Sequence, residues 1–150
     1  MATTNTWLNA ELSTTESIER WESDINGLLP PTEDWNPKVA ASKELLGDKL
    51  EEYLKAKGYV VDYEEGEVLL DIIYNPTCFS VSSDYLTLAI IYEDLSRGDY
   101  ETLYGQKAKI YYSKFDNKYP QDLERINYDL NLDDTVDSYT PTIRQRQLIR

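Results

Sequence analysis

Ser83-Asp84-Tyr85-Leu86-Thr87-Leu88-Ala89-Ile90-Ile91-Tyr92-Glu93-Asp94-Leu95-Ser96 is the stretch that decides the fold. Tyr85, Leu88, Ala89, Tyr92 and Leu95 recur at helical spacing, and Leu86, Ile90 and Ile91 fill much of the remaining circumference. A helix that is apolar nearly all round is covered on several sides, so it belongs at the centre of a domain. Ser83 is the expected N-cap, and Gly98 the expected stop. Asp99 then caps a second helix, in which Tyr100, Leu103, Tyr104, Ala108, Tyr111 and Phe115 repeat at the same period. Two helices joined by so short a turn pack as an antiparallel hairpin, about 83–97 against 99–118. Its expected core is Tyr85, Leu88, Tyr92, Leu95, Tyr104, Tyr111 and Phe115.

Toward the N-terminus the pattern stays helical. Asn36-Pro37 opens a helix with an Asn cap and a proline in the first turn, where its missing N–H costs nothing. Val39, Leu46, Leu50, Tyr53 and Leu54 form its stripe, and Gly58 ends it. Lys43, Glu44, Asp48, Lys49, Glu51, Glu52 and Lys55 make a solvated face. Ser13-Thr14-Thr15-Glu16 has the form of a capping box ahead of a helix carrying Ile18, Trp21 and Ile25, which stops at Asn26-Gly27. Residues 1–12, apolar at Trp7 and Leu12, read as an arm. Val68 to Ile73 fits a buried strand or a short helix; the helical surroundings favour a short helix closed by Asn75-Pro76.

Toward the C-terminus the period changes. Ile126, Tyr128, Leu130 and Leu132 alternate with Arg125, Asn127, Asp129 and Asn131, which predicts a short β-strand or hairpin near 124–132. A single strand needs a partner, from the 59–72 region or from another chain. The fold class expected is thus mainly α. A small helical bundle occupies 13–132, with an N-terminal arm at 1–12 and an extended C-terminal tail at 133–150.

That tail is the sharpest asymmetry in the chain. Net charge is −13, from 28 acidic and 15 basic residues. Residues 141–150 hold three arginines and no acid, +3, which leaves −16 on the other 140. Opposite charge on tail and body suggests docking on an acidic surface, whether its own, a neighbour's or another protein's. Arg144, Arg146, Leu148, Ile149 and Arg150 are the candidate partner-binding residues. Thirteen tyrosines against two phenylalanines suit half-buried and interfacial positions.

The same composition argues against most enzymatic chemistry. There is no histidine, which removes the usual general base near neutral pH and the commonest metal ligand. No phosphate-cradling glycine motif and no nucleophile elbow occurs. Asp71 with Glu93 or Asp94 could pair for acid–base or magnesium chemistry, but among 28 acids close pairs arise by chance. Asp129, Asp133, Asp134 and Asp137 resemble a calcium loop without its glycine and closing glutamate. Neither catalytic residues, a cofactor nor a metal is expected. Cys78 stands alone and reads as a small core residue. The negative field disfavours tight binding to nucleic acid or anionic membranes. The absence of a long apolar run leads to the expectation of a soluble protein made in the cytoplasm.

Three stretches resemble head–tail connector proteins (adaptor or head-completion proteins) of tailed bacteriophages. They are Asp34-Trp35-Asn36-Pro37 with the helix it opens, Ser83–Ser96 continuing through Asp99-Tyr100 into Lys107–Phe115, and the acidic segment Leu130–Asp137 leading to the arginine-bearing tail. The resemblance implies a helical-bundle subunit of a ring, commonly of twelve copies, in the virion neck. Its partners would be the portal protein, neighbouring copies and a downstream neck or tail protein. DNA would pass without specific binding, and the C-terminal residues named above would reach the portal. The residues also leave open an acidic DNA-mimic inhibitor of a basic enzyme. Another neck component, a stopper or tail-completion protein, is the third reading.

Overall fold

In the computed structural model, residues 7, 9–30, 32–59 and 69–129 are described. Among them the chain forms four α-helices: α1 (Thr15–Glu19), α2 (Asn36–Ala56), α3 (Ser80–Ser96) and α4 (Leu103–Leu123). Three short 3₁₀ helices, Ile25–Leu28, Leu69–Ile72 and Pro76–Phe79, complete the regular structure. The chain divides into two units. One comprises 11–46 and 79–124, the other 1–10, 47–78 and 125–150.

The first unit is built on α3 and α4, which make its dominant helix–helix contact. Leu88, Ala89, Ile91 and Tyr92 of α3 and Ala108 and Tyr111 of α4 share one buried cluster with Ile18, Ile25 and Trp35. Leu86 and Phe115 are buried as well. Tyr85, Leu95 and Tyr104 pack on the cluster half-exposed. The expected central helix is therefore found, with its apolar girth covered on several sides. Ser42 of α2 and Thr87 of α3, both fully buried, share a hydrogen bond of 2.7 Å. Thr87 also donates to the Ser83 carbonyl one turn back, so a polar pair is satisfied inside an apolar contact.

Element ends differ from expectation in instructive ways. The central helix starts at Ser80, not Ser83, and Ser83 is buried within it. It ends as anticipated, with Arg97 (φ 53°) and Gly98 (φ 82°) left-handed. Asp99 does not cap the next helix; Thr102 does, its hydroxyl accepting from the Gly105 N–H. Gly105 is what allows that tight return. A Cβ there would stand 2.4 Å from the Tyr100 Cα and 2.5 Å from the Asp99 carbonyl oxygen. Nor does the helix stop near 118; it continues through Tyr119-Pro120 to Leu123. The lost N–H costs little there, because Asp116 and Pro120 lie on the exposed side, where water can reach the orphaned carbonyl.

The N-terminal helix is shorter than the 13–27 span expected. It closes after five residues, with Thr14 rather than Ser13 as cap and Ser17 completing a reciprocal capping box. α2 begins where Asn36-Pro37 predicts, but Asn36 is not its cap. The Trp35 carbonyl accepts the first helical bonds, and the Asp34 carboxylate takes the Asn36 N–H. Gly58 at φ 89° follows its end.

In the second unit, Leu50 and Leu54 from α2 are buried, as are Trp7, Tyr59, Leu69, Leu70, Ile72, Ile73, Ile126 and Tyr128. Gly47 admits this packing: a Cβ would meet the Trp7 Nε1 at 3.2 Å and Leu70 Cδ1 at 3.3 Å. The Trp7 N–H donates to the Asp71 carboxylate at 3.0 Å. The short-helix reading of 68–73 agrees with the 3₁₀ turn found there. The strand near 124–132 is not seen. Among the described residues there is one antiparallel bridge, Ile73 with Tyr128, bracketed by Tyr74 N–H to the Asn127 carbonyl and Asp129 N–H to the Ile72 carbonyl. Ile126 and Tyr128 do alternate with exposed Asn127. However, α4 consumes the chain through Leu123, and Asn75 takes over the pairing by donating to the Arg125 carbonyl and accepting from the Asn127 N–H. The partial alternation, which ends at Asp129 because that residue is buried beside Tyr128, comes from one bridge and a side-chain clamp, not from a ladder. Cys78 is half-buried, rather than a core residue.

Candidate functional site

Two carboxylates, Asp84 on the hairpin and Glu22 on the N-terminal segment of the same unit, tie the two together. Asp84, almost fully buried, accepts from Ser13 and Ser17 hydroxyls at 2.7 Å each and from Trp21 Nε1 at 3.1 Å. Ser13 also lies 2.7 Å from the Ser83 hydroxyl, so the serine expected to cap a helix instead joins a buried polar cluster. Glu22 works in the opposite sense, reaching from the segment to the hairpin. It accepts from Tyr92 at 2.7 Å, Lys107 at 2.6 Å and Tyr111 at 2.6 Å.

Four polar groups converge there, and the acidities of Glu22 and the two tyrosines move accordingly. Burial alone would raise the Glu22 carboxyl; donation by Lys107, Tyr111 and Tyr92, with the lysine's charge, outweighs it and holds the group below the ordinary carboxyl range. Burial and then the hydrogen bond to Glu22 push the Tyr92 and Tyr111 hydroxyls well above theirs. The rings form a continuous layer. Tyr92 stacks on Tyr104 and Tyr111 (centroids 6.0 and 6.1 Å), Tyr85 lies 6.1 Å from Tyr111, and Trp21 lies 5.0 Å from Tyr85. This accounts for part of the tyrosine excess: Tyr92 and Tyr111 are core, Tyr85 and Tyr104 are half-buried against them, and the Tyr92 and Tyr111 hydroxyls end on a carboxylate.

At the α3–α4 turn, Glu93 accepts from Tyr112 and, more loosely, from Tyr100 at 3.5 Å. Asp94 pairs with Lys38 at 3.2 Å. Two clefts share that ion pair: one of about 440 Å³ lined also by Ile90, Arg97 and Tyr112, and one of about 520 Å³ lined also by Leu29, Trp35 and Leu95. Glu93 is already engaged by tyrosine hydroxyls and Asp94 by the lysine, while Asp34, in the second cleft, accepts from the Asn36 N–H. Asp71, in the other unit, accepts from Trp7, so the acid pair weighed from sequence has separate local roles for its members. Among the described residues no group of three or more Cys, Asp or Glu could hold a metal ion, and no helix is long and apolar enough to cross a membrane.

The outward face of α4 is the candidate contact surface. Leu103 is 66% exposed and Ile110 52%, with Tyr100 at 41% just before the helix. Leu103 belongs to the apolar repeat in the sequence but not to the buried seam. The seam actually runs Tyr104, Ala108, Tyr111, Phe115, and Leu103 falls one position off it. Leu103, Gln106 and Ile110, spaced three and four, instead form an outward stripe. Lys109 and Lys114 flank it. Lys109 lies over the Tyr100 ring at 5.5 Å, Lys114 over Tyr111 at 5.0 Å, and neither is paired with a carboxylate among the described residues. Of the expected hairpin core, Leu88, Tyr92, Tyr111 and Phe115 are buried, while Tyr85, Leu95 and Tyr104 are half-buried. The expected partner-binding set, Arg144, Arg146, Leu148, Ile149 and Arg150, lies outside the described residues. The Glu22 and Asp84 ties escaped the sequence reading; the sole local hint was Lys107 spaced among Tyr104 and Tyr111.

Comparison with protein families, with curated proteins and with solved structures gave no match.

Proposed function

We propose that this chain is a structural subunit of a tailed-phage neck, an adaptor that assembles as a ring between portal and tail and lets DNA pass. The observation that carries the assembly part is the outward face of α4. Two large aliphatic side chains more than half exposed, beside lysines lacking acid partners, form a contact surface rather than a solvated one. The phage-neck part is supported by resemblance: the stretches that carry it, Ser83–Ser96 and Asp99–Phe115, fall on the hairpin and its turn. The charge of −13 suits a lumen past which DNA slides by repulsion. A DNA mimic, by contrast, needs a continuous carboxylate surface, and the α4 lysines interrupt one.

In this reading Arg144, Arg146, Leu148, Ile149 and Arg150 grip the portal or a neighbouring copy. Purified protein added to portal-bearing particles should build a ring visible by electron microscopy. Deleting residues 143–150 should abolish attachment; full attachment of the truncated chain would refute the gripping role.

A further inference from the structure

The face of α4 is unusual for this chain in two respects at once. Leu103 and Ile110 stay more than half exposed, leaving apolar surface in water that burial against a partner would remove. Acids outnumber bases 28 to 15, yet Lys109 and Lys114 contact aromatic rings instead of carboxylates. What such a face accepts is a short segment with aliphatic side chains and acids and no base of its own.

We infer that it receives residues 130–137 of a second copy, so that adjoining subunits are linked by their acidic segments; this rests on the ring reading above. The segment, Leu-Asn-Leu-Asp-Asp-Thr-Val-Asp, offers Leu130, Leu132 and Val136 together with Asp133, Asp134 and Asp137, and no basic residue. It starts from an anchored point, since the Asp129 N–H donates to the Ile72 carbonyl at 2.7 Å. Its reach is sufficient: eight extended residues span up to about 26–29 Å, against about 16 Å along the helix from Leu103 to Lys114. The basic residues that follow set the register, because Arg144 and Arg146 are repelled by the α4 lysines and must lie beyond them. Exposed ion pairs are individually weak. The contact therefore draws on apolar burial, with the charges selecting the partner and direction.

The test uses the full chain carrying a photo-reactive phenylalanine at Ile110, with ordinary and nitrogen-15-labelled copies mixed. Cross-links should join copies of different label and map to residues 130–137. K109E with K114E should cut their yield about tenfold, by turning attraction into repulsion, and adding D133K with D134K should restore it. Cross-links that fall elsewhere or stay within one copy, or a charge swap that fails to rescue with helicity intact, would overturn the inference. Native mass separates the two levels. A ring whose cross-links avoid 130–137 defeats this contact alone, whereas a chain that stays monomeric even on portal particles defeats the assembly reading with it.

Discussion

Glu22 shows how one side chain can hold a segment with little regular structure of its own. Its carboxylate accepts from two tyrosines and a lysine while 20% exposed, so removing it strands three donors at once. Glu22→Ala should destabilise the chain by about 2 kcal/mol, as expected for partly buried donors left without an acceptor. Because the folded carboxyl lies below its ordinary value of 4.5, its contribution is fully present above that pH and is lost as pH falls through the folded value. Urea titrations of both proteins should show the gap closing in that acid range. A gap unchanged at low pH would mean that Glu22 acts through packing alone.

The element most exposed to a single substitution is the α3–α4 turn. Two consecutive left-handed residues, Arg97 and Gly98, reverse the chain, and the turn backbone then lies against the first turn of α4 at Gly105. Gly105→Ala raises helix propensity by about 1 kcal/mol in isolation. Here its methyl group would meet backbone at 2.4–2.8 Å, which cannot relax without moving the turn. The expected net effect is a loss of about 2 kcal/mol or more, read as a lowered urea midpoint. Glycine-to-alanine neutrality would show that the turn shifts freely. Gly27, where a Cβ meets nothing within 4 Å, is the matched control and should tolerate alanine.

Over the whole molecule, tyrosine replaces phenylalanine as the bulk aromatic, and this carries a pH signature. Burial, followed by bonding to Glu22 or Glu93, raises the hydroxyls of Tyr92, Tyr111 and Tyr112; burial and Tyr59 raise that of Tyr128. A group raised on folding stabilises the fold fully below its unfolded value and loses that contribution as pH climbs. The chain should therefore lose stability from about pH 10, the ordinary tyrosine value, upward. Absorbance near the tyrosinate band should show an exposed subset titrating first and the remainder appearing together with loss of helix signal. A single smooth titration of all thirteen tyrosines in the folded state would contradict this.

The residue pattern by itself determined the mainly helical class, the hairpin and the inward positions of Leu88, Tyr92, Tyr111 and Phe115, because a 3.6-residue period leaves few ways to bury so many apolar groups. It also determined the −16 and +3 charge split, which is composition and needs no fold. Tertiary structure decided what depends on residues distant in sequence: the Asp84 and Glu22 ties, made across 63 to 89 positions, and the close approach that Gly105 permits. It decided, too, that 125–129 form one bridge and an asparagine clamp in place of a strand. Alternation records which side chains are buried, while a ladder requires a neighbouring backbone with free donors and acceptors. Leu103 is the clearest instance of that division. Its spacing suited either side of the helix, and only packing of the Tyr104–Phe115 seam against α3 turned it outward, onto the face where we place the neighbouring subunit.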